Sequence, residues 1–301
     1  HHGGKHVNPL NGQTEDNGTS IIDVTDPKKP KYLHHIVGEP GEGESGGAQM
    51  VRVCDGKTLP KGDPNKTYLL RTYGTSGHEI WDVTDPAKPG HLITLVKGHK
   101  DTHKNAWECD TGIAYLVTDG RVDGFRSKRI TKIFDLSDPM NPKFIRNFSL
   151  IGQEPGSKGP VPEDLHGAIP LGNRIYFGYG TLLGGVIQIV DREKLLKGNP
   201  NSKDPFAPTP ENLRSPIVGQ LLMSAYNGAH TTFPMLGMPI AEYAHDKEGG
   251  KRDILMIVDE AILNECNEPR QMVWFADITV ESRPTMISTW TVPEASGDFC
   301  Q

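Results

Sequence analysis

The sequence predicts an all-β fold assembled from repeated antiparallel sheets. Two observations carry this expectation. Gly and Pro, 34 and 24 of 301 residues, make up about a fifth of the chain against roughly 12% in an average domain. Both residues break helix interiors, which excludes a helical bundle. The second observation is a motif that returns along the chain: IIDVTDPKKP from Ile21, IWDVTDPAKP from Ile80 and IFDLSDPMNP from Ile133. Weaker copies follow in IQIVDREKL around Asp191 and VWFADITVESRP around Asp277.

Each copy reads as a short apolar strand, an Asp, a turn, and then a Pro that opens the next strand. Asp in such a turn accepts backbone amides, and Pro presets φ. The second Pro lacks an N–H for a ladder, so it belongs at a strand start. KYLHHIV, HLITLV, KFIRNFSL and TMISTWTV are the strands that follow. Recurrence at one place in every unit assigns these Asp residues to turns rather than to catalysis. The anchors Asp23, Asp82, Asp135, Asp191 and Asp277 are 59, 53, 56 and 86 residues apart. Repeats of about 40–50 residues with four short strands are the mark of a β-propeller blade, and these units carry insertions. In the long last interval DILMIVDEAIL reads as an extra strand within a single blade with an enlarged loop. Upstream strands are GAQMVRVC, HKNAWEC, HGAIPLGNRIYFGYG and HTTFPM.

These residues resemble the LVIVD-repeat family of β-propeller proteins, through the DVTDPxxP turn after an apolar strand. The resemblance spans essentially the whole chain, closely at Asp23, Asp82 and Asp135 and loosely at Asp191 and Asp277. It implies one propeller domain over residues 1–301, with seven blades when closed. A partial blade covers 1–40, and blades cover about 47–97, 102–150, 164–223 and 228–292. Four full blades and one partial blade imply a chain trimmed at both ends. In architecture the chain is more distantly similar to selenium-binding proteins of the methanethiol-oxidase type, propellers whose histidines hold copper.

The net charge of −6 argues against nucleic-acid binding, which favours a basic face. No apolar run reaches the ~18 residues of a membrane span. No basic-then-apolar leader opens the chain, and HHGGKH runs directly into the repeat. Sequence motifs for an α/β-hydrolase elbow, a phosphate loop, a zincin or an EF-hand are absent. DGRVDG from Asp119 reads as a turn. Asn17, Asn65 and Asn147 stand in N-x-[ST] tripeptides.

Candidate chemistry rests on histidine. His103, His166 and His230 each open an upstream strand in successive repeats, 63 and 64 residues apart. In a propeller these first strands line the central channel, so three imidazoles would converge at one mouth. Imidazole suits Zn, Cu, Fe and Ni, and three protein ligands with an open position describe a catalytic metal. The expected metal ligands are His103, His166, His230 and His6, with the metal Cu, Fe or Zn. Asp164 and His245 are the expected catalytic acid–base groups, and Glu163 and Asp164 the carboxylates that orient His166. Gln49 stands where the adjacent blade lacks the histidine. His34, His35, His91 and His99 read as solvated, and His78 as a turn residue or an axial one. The expected function is a metal-dependent enzyme acting on a small molecule in the channel, oxidoreductase before hydrolase. The alternative is a non-catalytic binding propeller. The four cysteines are either free buried thiols or two disulfides, Cys54–Cys109 between blades and Cys266–Cys300 at the chain end. DP-rich turns, paired cysteines and the resemblance imply a periplasmic or secreted protein.

Overall fold

The anchor aspartates shape the chain as turn residues. In a computed structural model, which describes residues 2–180, 184–224, 227–239, 250–260 and 272–291, the Asp23 carboxylate accepts the Thr25 amide at 2.9 Å and the Thr25 hydroxyl at 2.6 Å. Asp82 accepts from Thr84 at 3.0 and 2.6 Å, and the amides of Ser137 and Thr279 bind Asp135 and Asp277, each at 2.8 Å. The second Asp of each close copy does the same one turn later, with Asp26, Asp85 and Asp138 accepting from Lys28, Ala87 and Met140. These are Asx turns. The Thr25 hydroxyl holds the Asp23 carboxyl below its ordinary range. Asp191 departs from the pattern: it accepts the Lys194 amide at 3.0 Å and N-caps a helix, α1 (Arg192–Lys197), in place of a DP turn.

The strands fall into six antiparallel sheets. A hairpin joins β1 (Lys5–Val7) and β2 (Thr14–Asp16), and a second two-stranded sheet joins β3 (Gly18–Asp23) and β4 (Lys31–Val37). Four sheets of four strands follow, each in chain order. The first holds β5 (Val51–Asp55), β6 (Thr67–Tyr73), β7 (Gly77–Asp82) and β8 (Gly90–Val96). The second holds β9 (Asn105–Trp107), β10 (Ile113–Thr118), β11 (Ile130–Asp135) and β12 (Lys143–Phe148). The third holds β13 (Leu165–Leu171), β14 (Arg174–Tyr179), β15 (Val186–Asp191) and β16 (Ile217–Leu222), with α1 and α2 (Pro210–Arg214) between its last two strands. The fourth holds β17 (Thr231–Pro239), β18 (Lys251–Val258), β19 (Val273–Asp277) and β20 (Thr285–Trp290). Four-stranded meanders of this kind are the make-up of a propeller blade, and the fold is all-β and propeller-like. DILMIV forms most of β18, the ordinary second strand of its sheet rather than an extra one.

The repeat is stricter than its sequence. Pro30, Pro89, Pro142 and Pro284 each stand one residue before the outer strands β4, β8, β12 and β20. A register shift falls immediately before the anchor in all five copies, at Ile21/Ile22, Ile80/Trp81, Ile133/Phe134, Ile189/Val190 and Phe275/Ala276. Each outer pair therefore bends at the same place, as a β-bulge requires.

The chain divides into two compact units, residues 1–148 and 149–301. In the first unit the core lies between the sheets β5–β8 and β9–β12. Leu70, Ile80, Ala114, Leu116 and Leu136 are fully buried there. Middle strands buried on both faces read as continuous apolar runs, and every residue of β10 is buried. In the second unit the sheets β13–β16 and β17–β20 enclose Tyr176, Ile187, Ile189, Leu255, Ile257 and Ala276.

Cys54 at the end of β5 and Cys109 after β9 form a disulfide, with Cα atoms 5.4 Å apart. It ties two consecutive sheets and decides between the free thiols and the disulfide that the sequence left open at these positions. Cys266 and Cys300 lie outside the described residues. Replacing Cys54 and Cys109 together by Ser is expected to cost about 2–4 kcal/mol, given the 55-residue separation and the loop entropy that the link removes from the unfolded chain. Denaturant unfolding of oxidised, reduced and variant protein measures this loss.

Candidate functional site

Two of the sequence-predicted ligands meet. The rings of His166 and His230 face each other with centroids 3.4 Å apart and planes inclined by 32°. Both belong to the second unit, on adjoining sheets. His166 is the second residue of β13, where the register with β14 slips between Leu165 and Gly167. It is thus the bulged residue, and a bulge re-aims the side chain that it carries. His230 immediately precedes β17, and its amide donates to the Val258 carbonyl of β18 at 3.0 Å.

Close backbone packing brings the two rings together. A Cβ on Gly178 of β14 would stand 2.2 Å from the Ala229 carbonyl oxygen, so only glycine admits the 227–230 segment at that distance. The Ala229 amide donates to the Gly180 carbonyl, and the Gly180 amide to the Asp164 carbonyl at 3.0 Å. Gly180 has φ +92°, a left-handed conformation that costs a side-chain-bearing residue about 1–2 kcal/mol. Asp259 fastens the other side. Its carboxylate accepts the amides of Gly228 at 2.6 Å and Glu260 at 3.0 Å.

The polar partners of the pair follow from this frame. His230 Nδ1 is 2.9 Å from the Thr231 hydroxyl, and its Nε2 is 3.4 Å from Glu260 Oε1. The rings are half-buried, and the Glu260 side chain is more open. Two imidazoles and one carboxylate are a donor set that suits Fe, Cu or Zn. Ring lone pairs lie in the ring planes, so two nearly parallel rings do not aim at one ion until one of them turns. Among the described residues no three His, Cys, Asp or Glu side chains stand together with their donor atoms set for a metal ion.

The other predicted residues lie elsewhere. Asp164 precedes β13 by one residue and is half-buried. His245 lies outside the described residues. His103 belongs to the first unit; it is 2% exposed and its amide donates to the Val117 carbonyl. The placement of His103 before β9 matches that of His230 before β17, since each amide bonds a carbonyl of its sheet's second strand, β10 or β18. His6, on β1, packs edge-on against His35 with ring centroids 4.5 Å apart, and its Nδ1 is 2.9 Å from Asn17 Oδ1. Gln49 donates its side-chain amide to the Glu44 carbonyl.

Two expectations of solvated histidines are corrected. His35 is 6% exposed, with Nε2 3.0 Å from the Asp16 carbonyl. His99 is 7% exposed, and its Nδ1 accepts the Asp119 amide at 3.1 Å. His99 is buried while Lys97, Gly98 and Lys100 beside it are exposed, and the amides of His99 and Thr102 donate to the carbonyls of Ser76 and Thr75, which no local sequence pattern discloses. Glu260 and Asp259 were also missed by sequence reasoning. Their signal is an acidic pair that ends an apolar strand, in IVDE.

His78 of β7 is fully buried and donates Nε2–H to the Val117 carbonyl at 2.9 Å. Burial pushes it down from 6.5 to about 4, against the carbonyl bond that favours its charge and with nearby His99 adding to the depression. His78 is neutral in the fold, whereas the unfolded chain takes up this proton near pH 6.5. Its contribution is therefore whole above about pH 6.5 and is lost as pH falls toward 4, on the order of 3 kcal/mol in all. Unfolding free energies between pH 7 and 4 should show this slope, and His78→Gln should flatten it. Gly178→Ala is expected to lower stability by about 1–3 kcal/mol through overpacking against Ala229, read from the denaturation midpoint.

No protein-family model matches the chain, and no protein with a curated description matches it. Among solved structures it is similar to a functionally unknown protein from Desulfotomaculum acetoxidans, with 11% identity and a TM-score of 0.46 over 89% of this chain and 61% of the other. It is also similar to a prolyl endopeptidase, with 12% identity and a TM-score of 0.42 over 97% of this chain and 33% of the other. A third likeness is to Sqt1 from Chaetomium thermophilum, with 10% identity and a TM-score of 0.45 over 95% of this chain and 67% of the other. The chain thus spans about three fifths of the first of these proteins and a third of the second.

Proposed function

We propose that this chain is a metal-dependent oxidoreductase of the propeller class, seven-bladed when closed, and that His166 and His230 are two of its metal ligands. The face-to-face contact of the two rings carries this reading. Imidazoles on adjoining sheets reach the same point through a bulge on one side and a glycine-permitted backbone approach on the other. Glu260 supplies the third donor. Two imidazoles with one carboxylate and open positions are the donor set of non-haem iron oxygenases, and copper or zinc also accepts it. An ion held there would offer its open positions to dioxygen or to a small-molecule substrate.

The chain's own residues have separate tasks in this reading. Thr231 fixes the tautomer and orientation of His230, as partners beyond the ligands do in metal sites. Asp259 holds Glu260 and the 228–230 segment in register. Asp164, two residues before His166, moves a proton to or from the substrate. Holding an ion there would require one ring to turn out of the stack, since the two donor nitrogens must converge. The Cys54–Cys109 disulfide supports an oxidising compartment, periplasmic or secreted.

Elemental analysis by inductively coupled plasma mass spectrometry tests the reading on protein purified without chelator or affinity tag. Near-stoichiometric copper or iron is expected, falling at least tenfold in His166→Ala and His230→Ala and in part in Glu260→Gln. Zinc in its place would move the reaction to hydrolysis. A folded protein without metal would overturn the enzyme reading in favour of a binding propeller.

A further inference from the structure

The sheet β5–β8 carries an irregularity that the other repeats lack. In each of the other outer pairs the register slips once, just before the anchor. Between β7 and β8 it slips a second time, at His78/Glu79. A bulge re-aims the side chain beside it, and here that side chain is Glu79. Three residues before the anchor the other copies have Ser20, Lys132, Gln188 and Trp274. The repeat itself therefore requires no carboxylate at this place.

Glu79 lines a cavity of about 300 Å³ in the first unit. Its walls are one face of three strands: Tyr73 of β6, Gly77 and Glu79 of β7, and Thr94 and Val96 of β8, with Lys97 next in the chain. A Cβ on Gly77 would stand 2.5 Å from the Val96 carbonyl oxygen, so glycine is what lets the end of β8 approach the start of β7. The lining is mostly apolar. An apolar wall with a few placed polar groups is the make-up of a small-molecule site, and this volume stands at the lower end of the ~300–1,000 Å³ that such sites span.

The carboxylate is fixed before any ligand arrives. Glu79 Oε2 accepts Arg71 Nε and Trp81 Nε1, each at 2.9 Å. Arg71 is 1% exposed and donates to the carbonyls of Ile36 and Val37 at 3.1 and 2.9 Å. Its Cζ lies 5.4 Å from the Tyr73 ring centroid and 4.9 Å from that of Trp81. Glu79 thus meets Arg71 through Oε2 alone, and Oε1 has no partner among the described residues. Lys97 is exposed and stands in no ion pair among them. One cavity therefore offers an acceptor for an ammonium, a cation for a carboxylate, and a wall of carbon. Groups held in place beforehand lose little freedom on binding.

We propose that this cavity binds a free amino acid with an aliphatic side chain. Its ammonium donates to Glu79 Oε1, its carboxylate pairs with Lys97, and its side chain packs against Val96, the Thr94 methyl and the Tyr73 ring. Charge complementarity selects the zwitterion. An alkylamine lacks the group that Lys97 takes, and a fatty acid lacks the group that Glu79 takes. This inference is independent of the histidine pair, which belongs to the second unit.

The test is calorimetric titration of L-leucine into the 301-residue protein, with EDTA present so that no ion at the histidine pair takes part. Saturable binding at one site per chain is expected. N-acetyl-leucine, without the ammonium, and isopentylamine, without the carboxylate, should each bind at least tenfold more weakly. Thr94→Phe, which fills the cavity from its exposed edge, and Lys97→Glu, which reverses an exposed charge, should each weaken leucine at least tenfold. Both sites are exposed, so both variants should fold. No saturable binding of leucine by the folded protein overturns the proposal. So does isopentylamine that binds as tightly as leucine, which makes the cavity a cation site. Leucine binding that these variants leave unchanged overturns it too, since the ligand then sits elsewhere.

Discussion

A carboxylate that accepts the amide two residues ahead is the contact on which these sheets depend. At Asp23, Asp82, Asp135 and Asp277 it turns the chain directly after the third strand. The proline that follows then releases the fourth strand in fixed register. Because the bulge always falls at the same distance before the Asp, the outer pair in each of the five sheets that carry an anchor bends at the same place. Asp191 shows what is essential in the contact. Its carboxylate still binds a forward amide, that of Lys194, but three residues on, and the product is a helix N-cap instead of a turn. The outer strand β16 returns to the sheet all the same, after a longer excursion.

How much of this was legible in the sequence follows from how local each cause is. The turns were legible because Asp, Thr and Pro act within a few residues of one another. The four-stranded sheets followed from the spacing of those turns and the apolar runs between them. The bulges were not legible, since they exist only in the pairing of two strands. The burial of His99 was hidden for a similar reason: its neighbours in sequence are polar and exposed, and the backbone ties that set its place run to the distant turn at Thr75 and Ser76. DILMIV read as a surplus strand because the sequence shows no anchor beside it; pairing with β17 and β19 makes it an ordinary second strand.

At the histidine pair the legible and illegible parts meet. Equivalent placement of His166 and His230 at the starts of first strands was visible from their spacing. Their contact was not, because it needs the bulge at His166 and the bare Cα of Gly178, both of which are facts of packing. Glu260 escaped notice since nothing in its own neighbourhood repeats. The site is thus built from one repeated feature and two unrepeated ones, which is how a repetitive scaffold acquires a singular position.

The link between Cys54 and Cys109 bears on how the first unit comes apart. Repeat architectures behave nearly as one-dimensional arrays, in which each module is held by its neighbours and can fray from an end. A covalent tie across one junction removes fraying there, so β5–β8 and β9–β12 must melt as a pair. The two-stranded sheets β1–β2 and β3–β4 carry no such tie among the described residues. Cooperativity in this unit is therefore uneven, firmest across the stapled junction.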